Sequence, residues 1–108
     1  MQTPIAEKIY EQLMQASVVM REYLPAIKEN AKKLIPAPPT NLIDAMNQYD
    51  MVSKEKRNYM GKPTEAMVGR WVTILVVICQ FLEKNLPHHP LIADCNSLAN
   101  NVLKMIGK

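Results

Sequence analysis

The stretch Ala66–Leu82, AMVGRWVTILVVICQFL, decides how the rest of this chain folds. Residues 71–79 are apolar except for Thr73, and the nearest prolines on either side are Pro63 and Pro87. A segment that is apolar on most sides must be covered on most sides. The other segments of this 108-residue chain are therefore expected to pack around it.

A helix and a strand compete for this stretch, because residues 71–78 are rich in β-branched side chains. Length favours the helix, since a strand rarely exceeds about ten residues. The sequence predicts a helix from about Pro63 to Asn85 that is apolar nearly all round. A stable membrane span is not expected, because a span needs about 20 clean apolar residues and this run contains Arg70 and Gln80.

Composition places the chain among small globular proteins. A length of 108 residues predicts one domain, residues 1–108. With only 3 glycines and 6% aromatic residues, a turn-rich β sandwich is disfavoured. The N-terminus lacks the pattern of a secretory signal, and two cysteines without such a signal indicate reduced thiols. We therefore expect a cytoplasmic protein.

The first helix is predicted from a run of apolar residues spaced three or four apart. Thr3 is a suitable N-cap and Pro4 suits the first helical position. Pro25 either divides this segment into two helices or kinks a single one. The unbroken apolar phase favours the kinked helix. The apolar positions are Ile5, Ile9, Leu13, Ala16, Met20, Leu24, Ile27, Ala31 and Leu34.

The second helix follows the proline-rich segment LIPAPPT at 34–40, which is predicted to be a rigid connector. Its single P-x-x-P spacing leaves binding to an SH3 or WW domain as an alternative. Thr40 or Asn41 is expected to cap the helix. The apolar face of that helix is predicted to contain Leu42, Ala45, Met46, Tyr49 and Val52.

The fourth helix follows the turn PHHP at 87–90, with His88 or His89 as its cap and Pro90 at its start. Gly107 is expected to end it. Its apolar face is predicted to contain Leu91, Cys95, Leu98 and Val102, widened by Ile92, Ala99 and Leu103. Together these patterns predict an all-α fold, an antiparallel four-helix bundle with a proline-kinked first helix and a near-central apolar third helix.

Cys79 and Cys95 are each eight residues from the start of the PHHP turn, so a helical hairpin would bring them to the same height. Two readings stay open, a disulfide or ligand pair and two small residues packed together. A zinc site with His88 and His89 is excluded, because eight residues of helix span about 12 Å. No metal or cofactor is expected.

One basic concentration stands out, with Tyr59 among its cations: Lys54, Lys56, Arg57, Lys62 and Arg70. Residues 54–108 carry a net charge of +4, whereas residues 1–53 carry −1. A solvated loop, an acidic protein partner, and nucleic acid or anionic lipid all fit such a segment. Nucleic-acid binding would further need stacking aromatics or an element that enters a groove.

Catalytic motifs are missing from the sequence, so we expect no enzymatic activity. The function expected is a small protein–protein interaction or regulatory module of adaptor type, with a protein partner that could be a second copy of the chain. The alternatives are binding of nucleic acid or an acidic surface through 54–62, and a membrane-associated immunity or lysis-control role. The partner surface is predicted to combine the basic residues above with one flank of the third helix, formed by Gly69, Thr73, Val76 and Gln80.

Overall fold

The described part of the chain is all α-helical. The computed structural model describes residues 5–16, 38–59, 61 and 63–105. These contain four helices and no strand: α1 (Ile5–Ala16), α2 (Leu42–Asn58), α3 (Glu65–Asn85) and α4 (Leu91–Lys104). The predicted kink at Pro25, most of the 34–40 connector and the predicted cap at Gly107 lie outside the described residues.

Helix α3 confirms the helical interpretation of the apolar stretch. It is 21 residues long, and the hydroxyl of Thr64 accepts a hydrogen bond from the backbone N–H of Met67 at 3.2 Å. At its other end the backbone N–H of Leu86 donates to the carbonyl of Leu82. A helix satisfies its own backbone polar groups, which allows the segment to be buried without unpaired donors and acceptors.

Helix α3 is also the most deeply buried element of the described chain. Every residue from Trp71 to Cys79 is buried, and α3 contacts each of the other three helices. Burying a large apolar side chain such as Trp71 or Ile78 contributes about 1.5–3 kcal/mol. The core of the described chain is therefore organised around α3.

The first residues of helix α1 are hydrogen-bonded to a carboxylate from a distant part of the chain. The backbone N–H groups of Ile5 and Ala6 donate to the two carboxylate oxygens of Glu83, at 2.8 and 3.0 Å. The carboxylate of Glu83 therefore satisfies two otherwise unpaired N–H donors at the positive end of the helix dipole. Ala6 and Ile9 are buried and Ile5 is half-buried, which agrees with the predicted apolar face at this end.

Helix α2 is capped by Asn41, whose side-chain oxygen accepts from the backbone N–H of Asp44 at 2.8 Å. Of its predicted apolar face, Ala45 and Val52 are buried. Beyond the helix, Gly61 has a φ of +94°, a left-handed conformation that glycine adopts without strain. The connection to α3 thus turns at Gly61.

Helix α4 confirms its predicted face and begins at Leu91, one residue after the predicted start. Pro90 stands at the N-cap position, and the ring nitrogen Nδ1 of His89 accepts from the backbone N–H of Leu91 at 3.0 Å. His89 therefore satisfies the first unpaired backbone N–H of the helix. The buried residues of α4 are Leu91, Ile92, Cys95, Leu98, Ala99 and Val102, with Leu103 half-buried.

Candidate interaction surface

The predicted flank of α3 lies mostly inside the protein. Gly69, Thr73 and Val76 are buried, whereas Gln80 is exposed. The folded chain covers the first three, so they cannot contact a partner without unfolding. The same burial removes the main reason for expecting a homodimer, since α3 needs no second copy to cover residues 71–79.

Arg70 does not belong to a free basic patch. Its guanidinium Nη1 donates to Oε1 of Glu55 at 2.7 Å, and the indole Nε1 of Trp71 donates to the same oxygen at 3.0 Å. The ring of Tyr59 meets that of Trp71 edge to face, with centroids 6.3 Å apart. This cluster joins the C-terminal part of α2 to α3, and its carboxylate balances the charge of Arg70.

The remaining cations of the basic segment divide between two sides of α2. Lys54 and Arg57 are exposed and lie three residues apart, on one side of the helix. Lys56 is half-buried on another side, and Lys62 lies outside the described residues. Of the described members of the predicted cluster, Lys54 and Arg57 are therefore the two that are exposed.

Those two cations share a continuous exposed face with apolar residues at the other end of the helix. We call this surface the outer face of α2. Its members are Ile43, Met46, Asn47, Asp50, Lys54, Arg57 and Asn58, all exposed.

Apolar exposure is concentrated at the N-terminal end of this outer face. Ile43 is 72% exposed and Met46 is 50% exposed, whereas Leu86 follows with 38% among the large apolar residues described. The sequence interpretation of Met46 as part of the buried face was wrong. It lies about 100° around the helix from Ala45, at the edge of that face.

No protein family, characterised protein or solved structure matches this chain. Among the described helices, none is long and apolar enough to cross a membrane.

The two thiols meet in the core between α3 and α4. Cys79 and Cys95 are buried and not linked to each other. The pKa of the Cys95 thiol lies far above its ordinary value, because of a hydrogen bond with Cys79, then burial, then the nearby charge of Asp94. A thiol held neutral in this way is a poor nucleophile and a poor metal ligand, which favours the packing interpretation of the pair.

The described polar side chains show no arrangement for metal binding. Within residues 5–16, 38–59 and 63–105, no three of the His, Cys, Asp and Glu side chains are placed to hold a metal ion. His88 is exposed at the turn, and His89 is engaged as the cap of α4.

A shallow cavity of about 300 Å³ lies beside the C-terminal half of α3. Its walls include Pro38, Pro39, Phe81 and the exposed Gln80, and Lys84 supplies its charge. Among the described residues that line the cavity, none carries a carboxylate or an imidazole. The described part of the wall therefore holds no paired acid and base of the kind that general acid–base chemistry uses.

Proposed function

We propose that this chain is a non-catalytic, cytoplasmic protein–protein interaction module of regulatory or adaptor type, and that it binds its partner through the outer face of α2. The observation that carries the proposal is the exposure of Ile43 and Met46 on the same helical face as Lys54 and Arg57. Burial of both apolar side chains against a partner would be favourable, while the cations would orient it.

The fold proposed for this module is an antiparallel four-helix bundle with a kink at Pro25. One contact and one short connection support the antiparallel arrangement. Glu83, near the end of α3, caps the first residues of α1, and only residues 86–90 separate α3 from α4. Connections this short are typical of antiparallel neighbours.

Several ionisable groups that could serve catalysis are engaged in packing instead. Glu55 holds Arg70 and Trp71, Glu83 caps α1, and the thiol of Cys95 is kept neutral. This engagement supports a non-catalytic role.

The alternatives gain less support. Nucleic acid is bound chiefly by cations that follow the phosphates. Among the described residues of the basic cluster, Arg70 is paired with Glu55, and Lys54 and Arg57 are the exposed cations. A membrane-inserting role would require α3 to leave the core, because residues 71–79 are buried.

Site-specific photo-crosslinking in the source cell tests this proposal. A photo-reactive amino acid in place of Asn47, at the middle of the outer face, is expected to give a discrete protein adduct. Exposed Asn101 on α4 is the matched control position and is expected to give none. The adduct should disappear when Lys54→Glu and Arg57→Glu are combined. Adducts of equal yield at both positions, or none at Asn47, would overturn the proposal.

A further inference from the structure

We propose that the partner of the outer face of α2 is an acidic amphipathic helix from another protein. This inference rests on the proposed function and adds the chemistry of the partner. It starts from the spacing along α2, where Ile43, Asn47, Asp50, Lys54 and Arg57 follow each other at intervals of four, three, four and three residues. That spacing forms a straight seam of about 21 Å, which matches the length and shape of a second helix of four turns.

The two ends of the seam require different groups on the partner. Ile43 and Met46 offer apolar surface near the start of α2, whereas Lys54 and Arg57 offer two positive charges three turns further on. A complementary helix therefore needs apolar residues at one end and Glu or Asp at the other.

Helix dipoles fix the direction of the partner. If it lies antiparallel to α2, its acidic end is its N-terminal end, where its own dipole stabilises carboxylates. The two helix dipoles then also point in opposite directions, which favours the pair. A parallel arrangement would place the carboxylates at the partner's C-terminal end, where the dipole disfavours them. The favoured partner is thus a helix with an acidic first half and an apolar second half.

The dipole of α2 accounts for only part of this surface. Cations near a helix C-terminus are favoured without any ligand, which would explain Lys54 and Arg57 alone. It does not explain why Ile43 and Met46 are exposed on the same side of the helix. The combination of an apolar and a basic end on one helical face is what favours a partner of this chemistry.

A second copy of the chain fits this seam poorly. In an antiparallel pair related by a two-fold axis, Asp50 meets Asp50 and each apolar end meets a basic end. In a parallel pair, Lys54 and Arg57 meet the same cations of the other copy. Like charges placed opposite each other oppose association, so a heterologous acidic helix is favoured over a homodimer.

Peptide binding to the full chain tests the chemistry directly. The probe is a fluorescent peptide of about 16 residues with Glu on one face of its first two turns and Leu on the same face of its last two. One control peptide has Lys in place of Glu. A second has the same composition in a scrambled order, so that Glu and Leu no longer share one face. By fluorescence anisotropy, the patterned acidic peptide is expected to bind about tenfold more tightly than either control, and less tightly as salt rises.

Charge reversal supplies the decisive comparison. Lys54→Glu with Arg57→Glu is expected to weaken the acidic peptide about tenfold and to strengthen the Lys peptide. The matched control is Lys84→Glu with Lys104→Glu, which makes the same charge change at exposed sites on α3 and α4 and should alter neither affinity more than about twofold. Equal effects of the two double variants would overturn the inference.

The apolar end is tested in the same assay. Ile43→Ser with Met46→Ser is expected to weaken binding of the acidic peptide about tenfold. Leu86→Ser, at another large exposed apolar residue among those described, should not weaken it. Unfolding curves of all variants establish that they fold.

Other outcomes separate this inference from the proposed function. Tighter binding to duplex DNA, to anionic phospholipid vesicles or to a second copy than to the peptide would overturn the inference. A crosslink at Asn47 without any preference for the acidic peptide would overturn the partner chemistry and leave the interaction module standing. Absence of the crosslink would instead remove the proposed function on which the inference rests.

Discussion

Thr73 places a polar hydroxyl in the apolar core of the described chain. Its side chain is buried, and its hydroxyl has no hydrogen-bond partner among the described residues. An unpaired buried hydroxyl costs about 1–3 kcal/mol, and valine has nearly the same shape without that group. Thr73→Val is therefore expected to raise the free energy of unfolding by about 1 kcal/mol, measured by urea denaturation.

The same substitution at Thr64 provides the control for this prediction. Thr64 is exposed, and its hydroxyl caps α3 through the backbone N–H of Met67. Thr64→Val should therefore lower the stability, by about 0.5–2 kcal/mol. A loss of stability at both positions would show that the Thr73 hydroxyl has a stabilising partner after all.

Cys95 makes the stability of the protein depend on pH in the alkaline range. Its folded-state pKa is raised above the ordinary 9.0, chiefly by the hydrogen bond with Cys79. Above pH 9 the unfolded chain loses this proton while the folded chain keeps it, so the free energy of unfolding falls as pH rises. Below pH 9 both states hold the proton and the contribution is constant. For one proton the slope is at most about 1.4 kcal/mol per pH unit.

Urea denaturation between pH 8 and 10.5 of the wild type and of Cys95→Ala measures this slope. The variant should lose stability less steeply above pH 9. Part of the decrease in the free energy of unfolding should remain in both proteins. The reason is that the pKa of Tyr49 is also raised, first by burial and then by Asp94. Identical slopes in the two proteins would exclude Cys95 as a source of the pH dependence.

At the scale of the elements, the start of α1 depends on a single side chain of α3. Glu83→Ala removes both hydrogen bonds to the backbone N–H groups of Ile5 and Ala6. Because these bonds are charge-assisted and sit at the positive end of a helix, we expect a loss of about 1–2 kcal/mol. Hydrogen exchange should quicken in α1 more than in α3. The control is Glu11→Ala, an exposed site within α1 that should change stability by less than about 0.5 kcal/mol.

The contrast between α1 and α4 shows which caps can be predicted from sequence. His89 lies two residues before Leu91, so its capping role follows from local order. Glu83 lies 78 residues from Ile5, and nothing near either residue indicates the contact. Local patterns also predicted α3 and the buried face of α4, since helical periodicity is a local property.

Burial that depends on packing against distant elements could not be predicted from the local sequence. Gly69 and Val76 lie on the less apolar flank of α3, yet both are buried, because the coverage of a helix is set by elements far along the chain. Arg70 was grouped with neighbouring cations, but it pairs with Glu55, 15 residues away. The exposure of Ile43 could not be predicted, because the pattern of a weakly amphipathic helix does not indicate whether a single apolar residue faces solvent.

At the scale of the whole molecule, the central question is whether the four described helices unfold together. The contacts of α3 with α1, α2 and α4 mean that losing any one of them exposes part of the α3 surface. Because α3 supplies half of the buried apolar residues of the described chain, partial unfolding is costly at every face of α3. We therefore expect a single cooperative transition for the described helices.

Trp71 makes this expectation measurable, since it is the only tryptophan and it is buried in α3. Its fluorescence reports the packing of α3, while far-UV circular dichroism reports all helices. In urea the two curves should coincide, and Glu83→Ala should move both to lower urea by the same amount, although Glu83 acts on α1. A loss of ellipticity at lower urea than the change in Trp71 fluorescence would instead show that α1 unfolds on its own. In that event the shift caused by Glu83→Ala would be confined to the first step.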